Sequence, residues 1–323
     1  MKKSLTQPRL SYAPFEYPEA HDYFVKQCNA HWLWSEISMS SDIEDFKHNL
    51  SPEARQCIGH ILKGFVTVEQ LVADYWSSNV SKWFPKPEIA MMANTFAAME
   101  AIHTKSYAYL NESLGLEEYE AFLVDPTVSR KLESLIDVKG DSIEEIARSL
   151  AVFSAFGEGV MLFSSFAILM NFSRFNLMKG VGQIVRFSSL DENTHSNAGC
   201  WLFRELIKEH PEIWTDEFKK TIYQAARDAI AIEDQTIEQA FKLGSVHGVS
   251  EHGMKQFIRH RANVKLQELG LKINWKNLDK VALKELDFFD SMVFGVEHQD
   301  FFANRVTAYA KGMTTFSDDI FND

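Results

Sequence analysis

Apolar residues recur at three- and four-residue intervals along almost the whole chain, and the strict alternation of a half-buried strand is nearly absent. The spacing predicts a succession of helices. A first runs from about Glu19 to Ser35. Ser51-Pro52-Glu53 pairs a capping serine with proline at the first helical position, and opens a helix that carries Glu69 and ends near Ser78. Pro87-Glu88 opens the next, which carries Glu100, His103 and Tyr107 and stops at Gly115. A short helical stretch is predicted near 117–136, closed by Gly140. Ser142-Ile-Glu-Glu145 then forms a capping box for a helix that carries Glu158. The following helix, about 175–209, carries Asp191, Glu192 and His195, with Pro211 just beyond. Helices near 215–243, 250–269 and 279–309 complete the pattern.

The segment 150–172 is apolar over a length that would cross a bilayer. Glu158 falls in its middle, three serines interrupt it, and no second comparable span exists, so a buried core helix is the expected state. Gly (15) and Pro (8) are scarce and no flexible linker divides the sequence, which favours one large helical domain over two smaller ones. Net charge is −12 without a block of Lys and Arg, which argues against a nucleic-acid surface. Cys28, Cys57 and Cys200 have no metal or disulfide spacing and read as reduced thiols of a cytoplasmic protein. The opening residues lack the apolar stretch of a secretory signal.

The chemistry is concentrated in two Glu-x-x-His tetrads, Glu100-Ala-Ile-His103 and Glu192-Asn-Thr-His195. A Glu and a His three apart project from one face of a helix. In a chain of this composition about one such match arises by chance. The arrangement gains force because a further glutamate, Glu69 or Glu158, stands roughly one helical hairpin before each tetrad. Four carboxylates and two imidazoles from four helices are the ligand set of ferritin-like di-iron and di-manganese proteins. The surroundings of Glu158 are strongly apolar, and an isolated carboxylate there costs several kcal/mol unless it is paired, protonated or bound to metal. One imidazole per metal among carboxylates suits iron or manganese better than zinc. The predicted fold is therefore all-α, a ferritin-like bundle around a dinuclear metal site.

Beyond the ligands, the chain resembles the small, radical-generating R2-type subunit of class I ribonucleotide reductases. The resemblance is carried by Trp34, Glu69, Glu100-Ala-Ile-His103-Thr-Lys-Ser-Tyr107, Glu158, Asp191-Glu-Asn-Thr-His195 and Val306-Thr-Ala-Tyr309-Ala-Lys-Gly312. It implies that Glu69, Glu100 and His103 hold one metal and Glu158, Glu192 and His195 the other. It implies a radical or a high-valent metal pair as the stored oxidant, with Tyr107 at the position of the family's radical tyrosine. Trp34 and Asp191 would link the site to the surface, and Tyr309 would pass the oxidant to a large catalytic subunit that reduces ribonucleotides. Residues 1–312 would form the ferritin-like domain, and 313–323, acidic with Phe316 and Phe321, the tail that docks the large subunit. A homodimer is implied, without membrane or nucleic-acid partners. Glu69 stands where many di-iron members carry Asp, and Ser188 falls with Leu162 and Phe166 in the expected tyrosine pocket, so Fe2, Mn2 and Mn/Fe centres all stay open. The same bundle also serves R2-like ligand-binding oxidases, which need a substrate channel and no radical-transfer tail, and ferritin-like metal stores.

Overall fold

A computed structural model describes residues 4–116, 129–133, 138–243 and 247–294. The described residues are helical with no strand among them. Helix α1 (Pro18–Asn29) begins with proline in its first turn. Helix α2 (Pro52–Asp74) is capped by Ser51, whose Oγ accepts from Ala54 N at 3.2 Å, and runs into a π-helical turn over Tyr75–Val80. Helix α3 (Pro87–Leu114) ends at Gly115, whose φ of 71° lets its N–H turn back onto the carbonyls of Asn111 and Glu112. Helix α4 (Ile143–Ser149) starts at the Ser142 cap and continues as a π-helical stretch over Leu150–Glu158. Helices α5 (Phe163–Arg174), α6 (Lys179–Glu209), α7 (Asp216–Leu243), α8 (Glu251–Glu268) and α9 (Asp287–Phe294) follow.

Helix α2 packs along α3, and the π-helical part of α4 packs along α6. These two pairs carry the Glu and Glu-x-x-His positions. Contact between α4 and α6 is close because Gly199 has no side chain: a Cβ there would lie 2.1 Å from Ser154 Cβ. One apolar cluster extends from Leu5 to Val293. The span Ile143–Arg174 is long and apolar enough to cross a membrane, but 94% of its apolar window is buried against other helices.

The structure departs from the sequence expectation at three places that matter for the site. First, α1 stops at Asn29 rather than near Ser35. The chain is extended at Leu33 and then makes a single 3-10 turn over Trp34–Glu36. The break turns the Trp32 indole into the core, where it gains a buried hydrogen bond that a continued helix could not offer.

Second, the single helix expected through 150–172 is interrupted between Glu158 and Phe163. Met161 N reaches back five residues to Phe156 O at 2.9 Å, and carbonyls freed by the break take side-chain donors. Arg261 Nε donates to Gly159 O at 3.1 Å, and Lys131 Nζ donates to Met161 O and, at 2.8 Å, to Glu233 Oε1. Such π-helical distortions are characteristic of functional positions in helices.

Third, α6 starts at Lys179, after Met178 in a left-handed conformation with φ of 51°. Its start is set from a distance. Asp42 in the short helix Ser40–Glu44 accepts from Gly180 N at 2.9 Å and Val181 N at 2.8 Å, and Asp45 Oδ2 accepts from Met178 N at 3.0 Å. Two carboxylates thus serve the free amides and the positive end of the helix dipole. They fix the register that brings Asp191, Glu192 and His195 inward.

Candidate metal centre

Glu69 comes from α2, Glu100 and His103 from α3, Glu158 from the last residue of the π-helical stretch after α4, and Glu192 and His195 from α6. All six side chains are fully buried. Their ligand atoms gather in two overlapping groups, Glu69 with Glu100, His103 and Glu192, and Glu158 with Glu100, Glu192 and His195. Within each group the atoms lie no more than 4.8 Å apart. Glu100 and Glu192 therefore belong to both groups, where the resemblance implied a division of the six three and three. Glu100 and Glu192 would each offer an oxygen to both of two adjacent ions held there.

Both imidazoles turn Nδ1 into the cage and Nε2 away from it. His103 Nδ1 lies 3.0 Å from Glu100 Oε2, 3.1 Å from Glu192 Oε1 and 3.9 Å from Glu69 Oε2. His195 Nδ1 lies 2.5 Å from Glu100 Oε1 and 4.0 Å from Glu158 Oε1. On the outer side, His103 Nε2 donates to Asp191 Oδ2 at 3.1 Å and His195 Nε2 to Gln27 Oε1 at 3.2 Å. Gln27 Nε2 in turn donates to Asp191 Oδ1 at 2.8 Å. These outer bonds orient each ring and leave Nδ1 free as a ligand.

The polar atoms facing inward fit a cation. Both oxygens of Glu69, Glu158 Oε2 and Glu192 Oε2 are buried without a hydrogen-bond partner, and Glu100 Oε1 and His195 Nδ1 face each other across the cage. Buried polar atoms are seldom left so, and a cluster of them converging on one point is explained by metal ligation. The proton affinities agree. Burial, reinforced by Glu100, pushes Glu69 and Glu192 up to about 8, and burial raises Glu158 well above the carboxylate range. Burial also acts to raise Glu100, but His103 and His195 on either side outweigh it and hold that carboxyl below its ordinary value. For His103 burial opposes the charge, yet Glu100 together with bonds to Asp191 and Glu192 raises it well above the usual imidazole range. The metal-free cage is a proton store whose protons a cation would displace.

A pH dependence follows. Glu69 and Glu192 titrate near 8 in the folded chain against 4.5 when solvated. Their raised values contribute stability that is present below about 4.5 and is lost as pH climbs towards 8, and the raised His103 acts in the same direction. The metal-free protein should therefore melt at a lower temperature at pH 8 than at pH 6. The rise in melting temperature on adding Mn(II) should be larger at pH 8, because the ligands must lose their protons to bind. Calorimetry at the two pH values checks both signs, and a metal effect that is largest at pH 6 would contradict the cage.

Trp34 does not take the place beside Asp191 that the resemblance implied for it. The indole at Asp191 is that of Trp32, whose Nε1 donates to Asp191 Oδ2 at 2.8 Å and whose ring stacks on His103 with centroids 5.8 Å apart. Trp34 is half-buried in the 3-10 turn. Spacing from Glu69 could not separate the two indoles, because it depends on where α1 ends. Two further contacts had no sequence signal: Gln27 tying Asp191 to His195, and Trp76, whose Nε1 donates to Glu158 Oε1 at 2.5 Å.

Tyr107 is fully buried one turn beyond His103. Its ring lies 4.6 Å from that of Phe65, which in turn meets Phe166 at 5.2 Å. Phe65 was not among the expected pocket residues, whereas Leu162, Phe166 and Ser188 are buried as expected. The Tyr107 and Ser188 hydroxyls both lack hydrogen-bond partners, although Ser188 is near enough to act on the phenol. Burial raises Tyr107 well above its usual value, so it stays a neutral phenol. Tyr309 and residues 313–323 lie outside the described residues.

A buried set of four carboxylates and two imidazoles on paired helices defines a protein of the dinuclear carboxylate class. The family model described as "Ribonucleotide reductase, small chain" matches residues 9–280, and the chain belongs to that family. It is 33% identical over 96% of its length to a probable ribonucleoside-diphosphate reductase small subunit of Invertebrate iridescent virus 3, covering 87% of that protein. Its fold is similar to the ribonucleotide reductase R2 subunit from Clostridium botulinum, with a TM-score of 0.80 and 20% identity over 90% of this chain and 94% of that one. It is also similar to the dimanganese(II)-NrdF of Streptococcus sanguinis, with a TM-score of 0.70 and 18% identity over 87% and 99%.

Proposed function

We propose that the chain generates and stores a one-electron oxidant at the Glu69–Glu100–His103–Glu158–Glu192–His195 cage and passes it to a ribonucleotide reductase large subunit. The observation that carries this reading is the line Trp32–Asp191–His103, which joins an oxidisable indole to a ligand imidazole through one buried carboxylate. A storage bundle would need the cage without that line. Two redox-active ions held in the cage would supply the oxidising power, drawn from oxygen or a reduced oxygen species. The donor set supports iron or manganese, in any of the combinations Fe2, Mn2 or Mn/Fe.

The residues of the chain do the rest. Asp191 accepts from His103, Gln27 and Trp32 at once, so oxidation of the indole and movement of its proton are coupled to one carboxylate. Phe65 and the surrounding apolar side chains keep water from Tyr107. Because Tyr107 is held as a neutral phenol, losing an electron there requires losing its proton. A chain of this kind works as a homodimer in the cytoplasm, with Tyr309 and the 313–323 tail contacting the large subunit.

Ser188 tunes the pocket. Ser188→Ala removes its one unpaired hydroxyl beside Tyr107 and is expected to lengthen the lifetime of a tyrosyl radical signal, with two metals per chain retained. Paramagnetic resonance after activation checks it. A shortened signal would mean that Ser188 stabilises the radical, and no tyrosyl signal in either protein would remove Tyr107 as the carrier. The function itself is tested by loading the metal-free protein with Fe(II) or Mn(II), activating it, and assaying ribonucleoside-diphosphate reduction with its cognate large subunit.

A further inference from the structure

Trp32 lies on the His103 side of the cage. A second indole occupies the opposite side and has no part in the mechanism above. Trp76, in the π-helical turn after α2, donates to Glu158 and meets the His195 ring edge-on with centroids 6.1 Å apart. Oxidisable rings continue outward from it. Tyr75 lies 5.4 Å from Trp76, and Trp83 lies 6.1 Å from Tyr75. Trp76 and Tyr75 are buried, while Trp83 is half-buried, so the line runs from a ligand carboxylate to the boundary with solvent.

Each ring in this line is held. Tyr75 stacks on Phe153 at 3.9 Å and 14°, and its hydroxyl pairs with Ser154 Oγ at 3.2 Å. Trp83 lies edge-on to the backbone at Gly140, where a Cβ would fall 2.1 Å from its Nε1. Packing alone does not call for indoles and a phenol here. Phe96 and Phe153 fill neighbouring space beside the same residues with rings that are hard to oxidise.

We propose that Trp83, Tyr75 and Trp76 form a one-electron conduit that carries reducing equivalents from a soluble ene-diol reductant to the Glu158 side of the cage, separate from the Trp32 line. The proposal rests on the redox reading of the cage. Trp76 would give one electron towards a redox-active centre held in the cage, Tyr75 would refill Trp76, and Trp83 would refill Tyr75. The ene-diol then restores Trp83, becoming its own one-electron oxidised radical and releasing a proton to water. No covalent bond between heavy atoms forms or breaks. The Tyr75 proton stays in the Tyr75–Ser154 hydrogen bond and the Trp76 proton between Nε1 and Glu158, each returning as its ring is refilled.

The test uses the metal-free full chain, so its outcome does not depend on what the cage holds. In a Cys28→Ser background, which removes the exposed native thiol, a ruthenium polypyridyl photosensitiser is attached through a Lys82→Cys substitution at an exposed position beside Trp83. Flash oxidation should produce an indole radical that is lost on Trp76→Phe substitution. Tyr75→Phe, which keeps the ring and its stacking on Phe153, should lower the yield of that radical severalfold. Ascorbate should quench the radicals in the parent faster than in Trp83→Phe. An oxidised species confined to Trp83, or an undiminished Trp76 radical in the Tyr75→Phe protein, overturns the conduit.

Discussion

Glu192→Gln is expected to abolish dinuclear loading while leaving a protein that folds at least as well as the parent without metal. Glu192 belongs to both ligand groups, so its loss removes a donor from each metal position at once. Substituting a residue that merely orients a ligand typically costs about 10–100-fold in metal affinity. Loss of a shared ligand should exceed that range. Without metal the effect on stability has the opposite sign. Glu192 is fully buried, its raised proton affinity arises from burial and from Glu100, and a neutral amide of the same shape relieves both. Calorimetry should therefore show an equal or higher melting temperature for the metal-free variant at pH 8, and no further rise with Mn(II). A variant that still takes up two ions would remove Glu192 from the centre. Lower metal-free stability would mean that the cage carboxylates hold the bundle together by hydrogen bonds and do not store repulsion against a metal.

Trp32→Phe should abolish ribonucleotide reduction with the large subunit while two metals still bind, and Trp34→Phe should leave turnover close to the parent. The contrast isolates electron transfer from folding, because Trp32 touches the centre through the Asp191 bond and its stacking on His103. Phenylalanine keeps most of that stacking but can neither donate to Asp191 nor be oxidised at an accessible potential. Trp34 makes no described contact with Asp191. Turnover assays on both variants, each checked for metal content, decide between the two indoles. Full activity of Trp32→Phe, or loss of activity in Trp34→Phe alone, would return the role to Trp34.

These two variants also mark how far the sequence could be read. The ligands were legible because an i, i+3 pair on a helix has one geometry whatever surrounds it, and the helices themselves announced their ends with Ser51, Ser142 and Gly115. The sharing of Glu100 and Glu192 between the two groups was not, since it depends on how α3 and α6 face each other. Trp32 was mistaken for its neighbour because the end of α1 is decided by tertiary contacts and not by a breaker residue. The interruption at Met161 and the start of α6 were hidden for the same reason. The groups that make them tolerable, Lys131, Arg261, Asp42 and Asp45, come from distant segments. Trp76 and Gln27 sit in ordinary helical sequence, and nothing local distinguishes them from core and surface residues.

The central claim is that a dinuclear centre in this cage drives ribonucleotide reduction through Trp32. It is tested most directly by assaying the chain with its cognate large subunit at increasing Fe(II) or Mn(II) content after activation. Turnover should appear only as loading approaches two ions per chain, and should be absent in fully loaded Trp32→Phe. Reduction by the metal-free chain, saturation at one ion, or no reduction at full loading would contradict it.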